Sequence, residues 1–384
     1  MRLTVHDAIA DIAPEAWNLL AGDAYPFLRH EFLLAAEQTG CVSEDAGWAP
    51  RHLVLEDDGR LVGAMPLYQK EHSWGEFVFD WAWARAYEQA GLSYYPKLVS
   101  AVPFTPAPSR RLLLADPDDA GAARALVDGA LALAERTACS SLHVLFPTED
   151  ELPLLREAGL RVRKDCQFHW HNRDYTDFDQ FLEGFTASKR KKARRDRRRV
   201  SEAGIGFRRL KGGDIDTRTW EQVYSLISMT FMRRGSLPYY NLDFFLRIGE
   251  SLPDNLLIIL AEQRESPDPI AAAVFFESPT ALYGRYWGSD GRHNALHFET
   301  CYYQGIEYCI DKGLQSFEPG TQGEHKISRG FAPQSTWSAH WLAHPRFLSA
   351  IENYLEEESR YVDRYIESVD ARSPYRDRKP GGGS

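Results

Sequence analysis

The densest chemistry in the chain lies in one stretch, Phe317-Glu318-Pro319-Gly320-Thr321-Gln322-Gly323-Glu324-His325-Lys326-Ile327-Ser328-Arg329-Gly330-Phe331. Two carboxylates, a histidine, a lysine and an arginine fall between positions 318 and 329, with a proline and glycines between them. Glycine reaches backbone conformations closed to other residues, and chemistry is commonly carried on such loops. Glu318, at the end of an apolar segment, could serve as a base. His325 could be a base or a proton relay, because its ordinary pKa lies near neutrality. Lys326 and Arg329 could hold a phosphate or carboxylate, the arginine in bidentate fashion. A solvated turn would use similar residues; the interleaving of His, Glu, Lys and Arg with Gly favours a working loop.

A second group lies early in the chain. Glu76 and Asp80 flank Phe77-Val78-Phe79, which reads as a short strand. On a strand, positions 76, 78 and 80 share one face. Two carboxylates there could hold the ammonium of a substrate, or could pair with Lys97 or Arg85. His72 precedes the segment and could join the same wall. We take His72, Glu76, Asp80 and Lys97 as candidate substrate-binding residues.

A third group is electrostatic. Lys189-Arg190-Lys191-Lys192-Ala193-Arg194-Arg195-Asp196-Arg197-Arg198-Arg199 has nine basic residues in eleven. Its net charge is +8, within a chain of net charge −10, so the remainder carries −18. The cations wrap the whole helix, so something anionic must offset them. That could be the acidic Glu352, Glu356, Glu357 and Glu358, or an external polyanion such as RNA or an anionic lipid surface. The sequence reading favours the external partner, through Lys189, Arg190, Lys191, Lys192, Arg194, Arg195, Arg197 and Arg198. His293 and His297 have a helical spacing that a metal could use, but no further ligand pattern accompanies them, and no metal is expected. His169 and His171 would share a strand face on a partly exposed sheet. No nucleophile-elbow motif is present, so a covalent acyl-enzyme is not indicated.

The elements that must position these groups follow from periodicity. Helices are expected over 14–20, 30–39, 80–89, 119–137, 149–158, 178–185, 217–234, 242–251, 297–312 and 345–369, besides the basic helix 188–203. Strands are expected over 2–5, 51–56, 60–69, 76–79, 97–102, 111–114, 142–146, 160–171, 205–210, 256–263, 270–277, 281–288 and 314–317. Helices mixed with consecutive antiparallel strands indicate α+β. Each half repeats helices, a meander, then a helix feeding a strand, which suggests duplication. At 384 residues, two domains are expected: 1–168 and 169–370, with 371–384 as a flexible tail. Five cysteines form no CxxC pair, which suits a reducing compartment. No apolar run approaches a membrane span, and the N-terminus does not read as a signal peptide. A cytoplasmic location is expected.

Several phrases together resemble one family. They are His72-Ser73-Trp74-Gly75-Glu76-Phe77-Val78-Phe79-Asp80-Trp81, Tyr94-Tyr95-Pro96-Lys97-Leu98, Val102-Pro103-Phe104-Thr105-Pro106, Phe317-Glu318-Pro319-Gly320, Gly323-Glu324-His325-Lys326, Arg329-Gly330-Phe331 and Ser338-Ala339-His340-Trp341. The chain resembles the FemAB-like "peptidoglycan biosynthesis/recognition" proteins of the GNAT acyltransferase superfamily over roughly residues 27–370. The resemblance implies tandem GNAT-like domains, each a mixed, mostly antiparallel sheet flanked by helices. It implies N-acyl transfer to an amine, with a peptidoglycan precursor as a possible acceptor.

Such a reaction needs a base, donors for the tetrahedral oxyanion and a path for the leaving group, which gives Glu318 and His325 the catalytic roles. The pyrophosphate loop of acetyl-CoA-dependent members is replaced here by Gly288-Ser289-Asp290-Gly291-Arg292-His293-Asn294-Ala295-Leu296. Both acyl-CoA and aminoacyl-tRNA therefore stand as candidate co-substrates, with no tightly bound cofactor. Two rivals remain open: a non-catalytic protein that recognises a cell-wall precursor or peptide in an interdomain cleft, and a binder of RNA or an anionic surface working through the basic helix.

Overall fold

The computed structural model describes residues 1–264, 268–293, 295–321 and 323–376. The fold is α+β, the class expected. The chain divides into two compact units that do not follow chain order. One contains Met1–Cys166, Tyr239–Phe244 and Ser335–Asp363. The other contains Gln167–Pro238, Phe245–Gln334 and the segment from Arg364. Residues 335–363, placed by sequence with the second domain, thus belong to the first unit.

In the first unit, Arg2–His6, His52–Asp57, Arg60–Met65 and Leu113–Leu114 form an antiparallel sheet in that order. A second set runs Trp48–Pro50, Tyr68–Lys70, Lys97–Ser100 and Ser141–Leu145. Residues 338–342 add to its edge, antiparallel to 141–145. The helix Ala120–Arg136 starts where the Asp119 carboxylate accepts from Ala122 N at 2.8 Å. Its Leu126, Val127, Ala130, Leu133 and Ala134 then face the strands and bury against Leu53, Met65, Leu98 and Leu142. Fully burying a leucine-sized side chain contributes roughly 1.5–3 kcal/mol, so this helix face supplies much of the unit's cohesion.

The second unit is built on a meander. Ile205–Lys211, Leu256–Gln263, Pro269–Glu277 and Ala281–Ser289 pair antiparallel in sequence order. Ser316–Glu318 then pairs parallel with Ala281–Tyr283 and antiparallel with Trp170 and His171. Leu256 to Ala261 is buried at every position, as a strand covered on both faces must be. The helix Thr217–Met232, capped by Asp216 on Thr219 N at 2.8 Å, lies tightly on the strand Ala281–Ser289. A Cβ at Gly288 would sit 2.3 Å from Ile227 N, so only glycine allows this approach. The expected tail is docked as far as it is described. Tyr375 is half-buried, donates to Gly330 O at 3.0 Å and packs its ring on Phe185. Residues 377–384 of that tail lie outside the described residues, as do Gln322 and Asn294.

The segment 76–79, expected as a strand, is a loop. Gly75 and Phe77 both take positive φ, 82° and 59°. A Cβ on Gly75 would meet the Phe104 ring at 2.4 Å. The β-propensity of Phe77-Val78-Phe79 is overridden by the burial of the two carboxylates that flank it.

Candidate functional site

Glu318 ends its strand. Its partner in the parallel register is Tyr283, and Pro319 prevents the pairing from continuing. The residue keeps part of its surface, but its Oε2 is buried and has no hydrogen-bond partner among the described residues. Burial pushes its carboxyl up to about 8, against the opposing pull of Arg285. A carboxyl so placed can exchange a proton near physiological pH.

The loop beyond folds into a tight 3₁₀ coil, Glu324–Arg329, bounded by Gly323 and Gly330 with φ of 105° and 95°. A Cβ at Gly323 would strike the His325 ring at 2.1 Å. His325 Nε2 meets Tyr302 OH at 2.9 Å. Tyr302 is presented by a widened π turn, Glu299–Tyr303, inside the helical run 296–312, a feature common at working sites. Arg329 lies 3.4 Å over the Phe298 ring and donates to His325 O. Lys326 is buried, donates to Gly320 O and is pulled down to about 7 by burial. His325 is held below its usual range by burial and by the neighbouring Lys326 and Arg329. His325, Lys326 and Arg329 therefore form one cluster. No hydrogen bond joins Glu318 to His325 among the described residues.

In the first unit, Glu76, Asp80 and Lys97 do come together, but on each other. Lys97 is fully buried and donates to Glu76 Oε2 at 2.8 Å, Asp80 Oδ2 at 2.5 Å and Ser73 Oγ at 2.8 Å. The ammonium that the two carboxylates hold is the protein's own, and Lys97 has no free face for a substrate. This is the internal pairing that the sequence left open. His72 stands apart. Its Nε2 bonds Ala46 O at 3.1 Å, and the ring fills the space above Gly47.

The network extends to residues the sequence reading passed over. Tyr94 OH donates to Asp80 Oδ2 at 2.6 Å and approaches His143 Nε2 at 3.2 Å. His143 Nδ1 and His340 Nδ1 are 2.7 Å apart, so one must donate to the other. Ser141 and Ser338 each meet the Nε2 of the histidine two residues on, at 2.8 Å. Burial drives the His143 imidazolium down to about 3 and that of His340 well below its usual range. The signal was present as Ser141-x-His143 and Ser338-x-His340, a polar pair with strand period inside two apolar runs.

The basic helix spans Ala187–Glu202 and is not cationic all round. Ala193, Asp196 and Val200 are buried at helical spacing. Arg197, on the same side, bonds Glu299 at 3.1 Å and Glu307 at 3.2 Å. It is a packing residue and not part of an exposed strip. Lys191, Lys192, Arg194, Arg195, Arg198 and Arg199 are exposed, while Lys189 and Arg190 are half-buried. Arg194 reaches Asp179 at 3.0 Å, and Arg198 reaches Glu202 at 3.7 Å, exposed pairs of little energetic weight. The suggested acids lie elsewhere: Glu358 pairs with Arg163, Glu352 with Arg161 and Glu356 with Arg360.

Solved structures share this fold. FemX superposes with a TM-score of 0.55 at 12% identity, covering 92% of this chain and 100% of FemX. The C-terminal domain of a putative lysylphosphatidylglycerol synthetase from Agrobacterium fabrum gives 0.56 at 10% identity, covering 91% and 97%. L-PGS from Bacillus licheniformis gives 0.52 at 10% identity, covering 87% and 98%. At these identities the likeness is one of fold. No curated protein matches the chain in sequence. Residues 8–377 match the FemAB-like family, described as peptidoglycan biosynthesis/recognition, and the chain belongs to that family. Membership supports an acyltransferase-type role related to peptidoglycan. No helix among the described residues is long and apolar enough to cross a membrane.

Proposed function

We propose that the protein is a cytoplasmic N-acyltransferase that joins an activated acyl or aminoacyl group to an amine of a peptidoglycan precursor. The observation that carries this reading is Glu318: a strand-end carboxyl, its Oε2 buried and unpartnered among the described residues, raised to about 8. An acceptor amine must lose a proton as it attacks the acyl carbon. A base is most effective when its pKa lies near the working pH. Glu318 takes that proton. His325, tied to Tyr302, relays a proton toward the departing oxygen or sulfur of the donor. The exposed cations of the helix Ala187–Glu202 favour a polyanionic donor, aminoacyl-tRNA, over acyl-CoA.

The test supplies the purified chain with a peptidoglycan precursor and either aminoacyl-tRNA or acyl-CoA, and follows amide formation. The rate should rise with pH to a plateau above about 8. Glu318→Gln should lower turnover by roughly 10²–10⁴ while the fold is retained. Full activity in that variant, or no amide product from either donor, would overturn the reading.

A further inference from the structure

Elsewhere in the second unit, partly buried cations meet acids. Arg197 is paired with Glu299 and Glu307, Arg209 with Glu307 and Asp311, and Lys211 with Glu277. The coil Glu324–Arg329 breaks this rule. Arg329 is 3% exposed and Lys326 1%, yet neither has a carboxylate within ion-pair distance among the described residues. Arg329 Nη1 donates to His325 O and, at 3.2 Å, to Ser328 Oγ, and the guanidinium also bonds the Tyr303 side chain, which is no carboxylate. Its Nε is buried without a hydrogen-bond partner among the described residues. The coil's own acid, Glu324, is turned outward onto Arg372 at 2.8 Å. Glu299 is engaged by Arg197 and Gln304. A buried cation without a carboxylate partner is strongly disfavoured, so a coil that keeps two such side chains beside His325 implies that something supplies the charge.

More basic groups converge on the same place. The His297 ring lies 6.2 Å from that of His325 and 5.3 Å from that of Tyr302. It is repelled by His325, Arg234, Arg329 and Lys326 together. We propose that Arg234, His297, His325, Lys326 and Arg329 form a binding site for a phosphate or diphosphate ester. The number of cations sets the class: a single carboxylate would offset one charge, whereas a diphosphate offsets two or more and suits the arginine fork. The site extends the acyl-transfer reading by naming the anionic part of a substrate, but binding at it does not require turnover.

Binding at such a site is linked to protons. Burial holds Lys326 at about 7, and burial together with repulsion from His325, Arg234, Arg329 and Lys326 holds His297 at about 4. An anion among them reverses the repulsion, so protons are taken up as it binds. Other titratable neighbours do not compete near neutral pH. Burial keeps the Cys301 thiol and the Tyr302 and Tyr303 phenols high, and holds His169 at about 3. Tyr303, Asp196 and Tyr302 favour the charged form of Arg329, and Asp196 makes no ion pair with it among the described residues.

Calorimetry on the full chain tests this, with inorganic pyrophosphate as the first probe and no acyl donor present. Titration in two buffers of different ionisation enthalpy at neutral pH should show saturable binding with net proton uptake. Arg234→Gln and Arg329→Gln should each weaken binding by about tenfold or more, the loss of one charged hydrogen bond. Arg234 is exposed, so its variant keeps the test valid if Arg329→Gln fails to fold. Glu318→Gln should bind as the parent does, which separates this site from the catalytic reading. Uridine diphosphate, coenzyme A and a short RNA serve as second probes, and whichever competes best names the source of the phosphate. No binding by any probe at low salt would overturn the proposal. So would binding without proton uptake, or binding that both arginine variants leave unchanged.

Discussion

Lys97→Met tests the buried charge cluster of the first unit most directly. The side chain is fully buried and makes three hydrogen bonds, two of them to carboxylates. Methionine keeps the volume and removes the charge. Glu76 and Asp80 are then left facing each other, 3% and 2% exposed, without a cation between them. Breaking a buried pair in this way costs about 3–5 kcal/mol. For a unit of 150–250 residues each kcal/mol shifts the melting temperature by about 2–4 °C, so a fall of roughly 6–20 °C is expected.

The pH dependence has a definite sign. Asp80 is depressed to about 2, chiefly by Lys97 working against burial. Its contribution is present above its unfolded value near 4 and is lost as pH falls through about 2. Glu76 is raised by burial to about 7. Its protonated form is favoured by folding, and that contribution is lost as pH rises through about 7. Without Lys97 both carboxylates resist ionisation more strongly, so the defect should be largest at about pH 8 and shrink toward pH 5. Adding Glu76→Gln and Asp80→Asn to Lys97→Met should recover much of the loss at about pH 8, because both buried carboxylates are neutralised with the cation they held, and Lys70, already pulled down to about 7 by burial, can shed its proton. Melting curves at the two pH values decide the matter. A defect below a few degrees at the higher pH, one that grows on acidification, or a triple variant no better than the single would refute the argument.

Three further outcomes follow from other elements. Replacing Arg194, Arg195, Arg198 and Arg199 by Gln should flatten the log–log salt dependence of single-stranded RNA binding by roughly three, at about 0.7 per phosphate contact, with little change in melting temperature. Arg197→Gln should do the reverse, lowering stability and leaving the slope alone, because its partners are Glu299 and Glu307. Gly288→Ala should destabilise by about 1–3 kcal/mol or more through overpacking, since the added carbon meets backbone at 2.3 Å; an unchanged denaturation midpoint would show that the helix Thr217–Met232 can shift aside.

Much of the architecture was legible because its signals are local. The runs 120–136, 217–232 and 345–370 carry helical apolar spacing, and the meander 256–289 carries turn chemistry between apolar runs. The loop 318–330 stood out by composition as a dense run of charged groups. What escaped depends on partners distant in sequence. Phe77-Val78-Phe79 has strand propensity, but the need to bring Glu76 and Asp80 onto Lys97 bends it into a loop. The pairing of His143 with His340 joins positions nearly 200 residues apart, beyond the reach of any periodicity. The basic helix looked cationic on every side because an arginine that packs inward on two glutamates reads like one that faces water. The buried, uncompensated state of Lys326 and Arg329 is likewise a property of their surroundings and not of their type.

The discontinuous make-up of the first unit has a consequence for synthesis. The strand Ser141–Leu145 finds its outer neighbour only in residues 338–342, and His143 finds its hydrogen-bond partner only in His340. The core around Trp83, Tyr87 and Tyr94 closes only with Leu342, Ile351 and Leu355. At translation rates of about 5–20 residues per second, the interval between these strands is roughly 10–40 s. Through that time the nascent chain carries an open strand edge and an unfilled aromatic face, the features that invite aggregation. For this chain the ribosome sets a waiting period, and the first half made is among the last parts to finish folding.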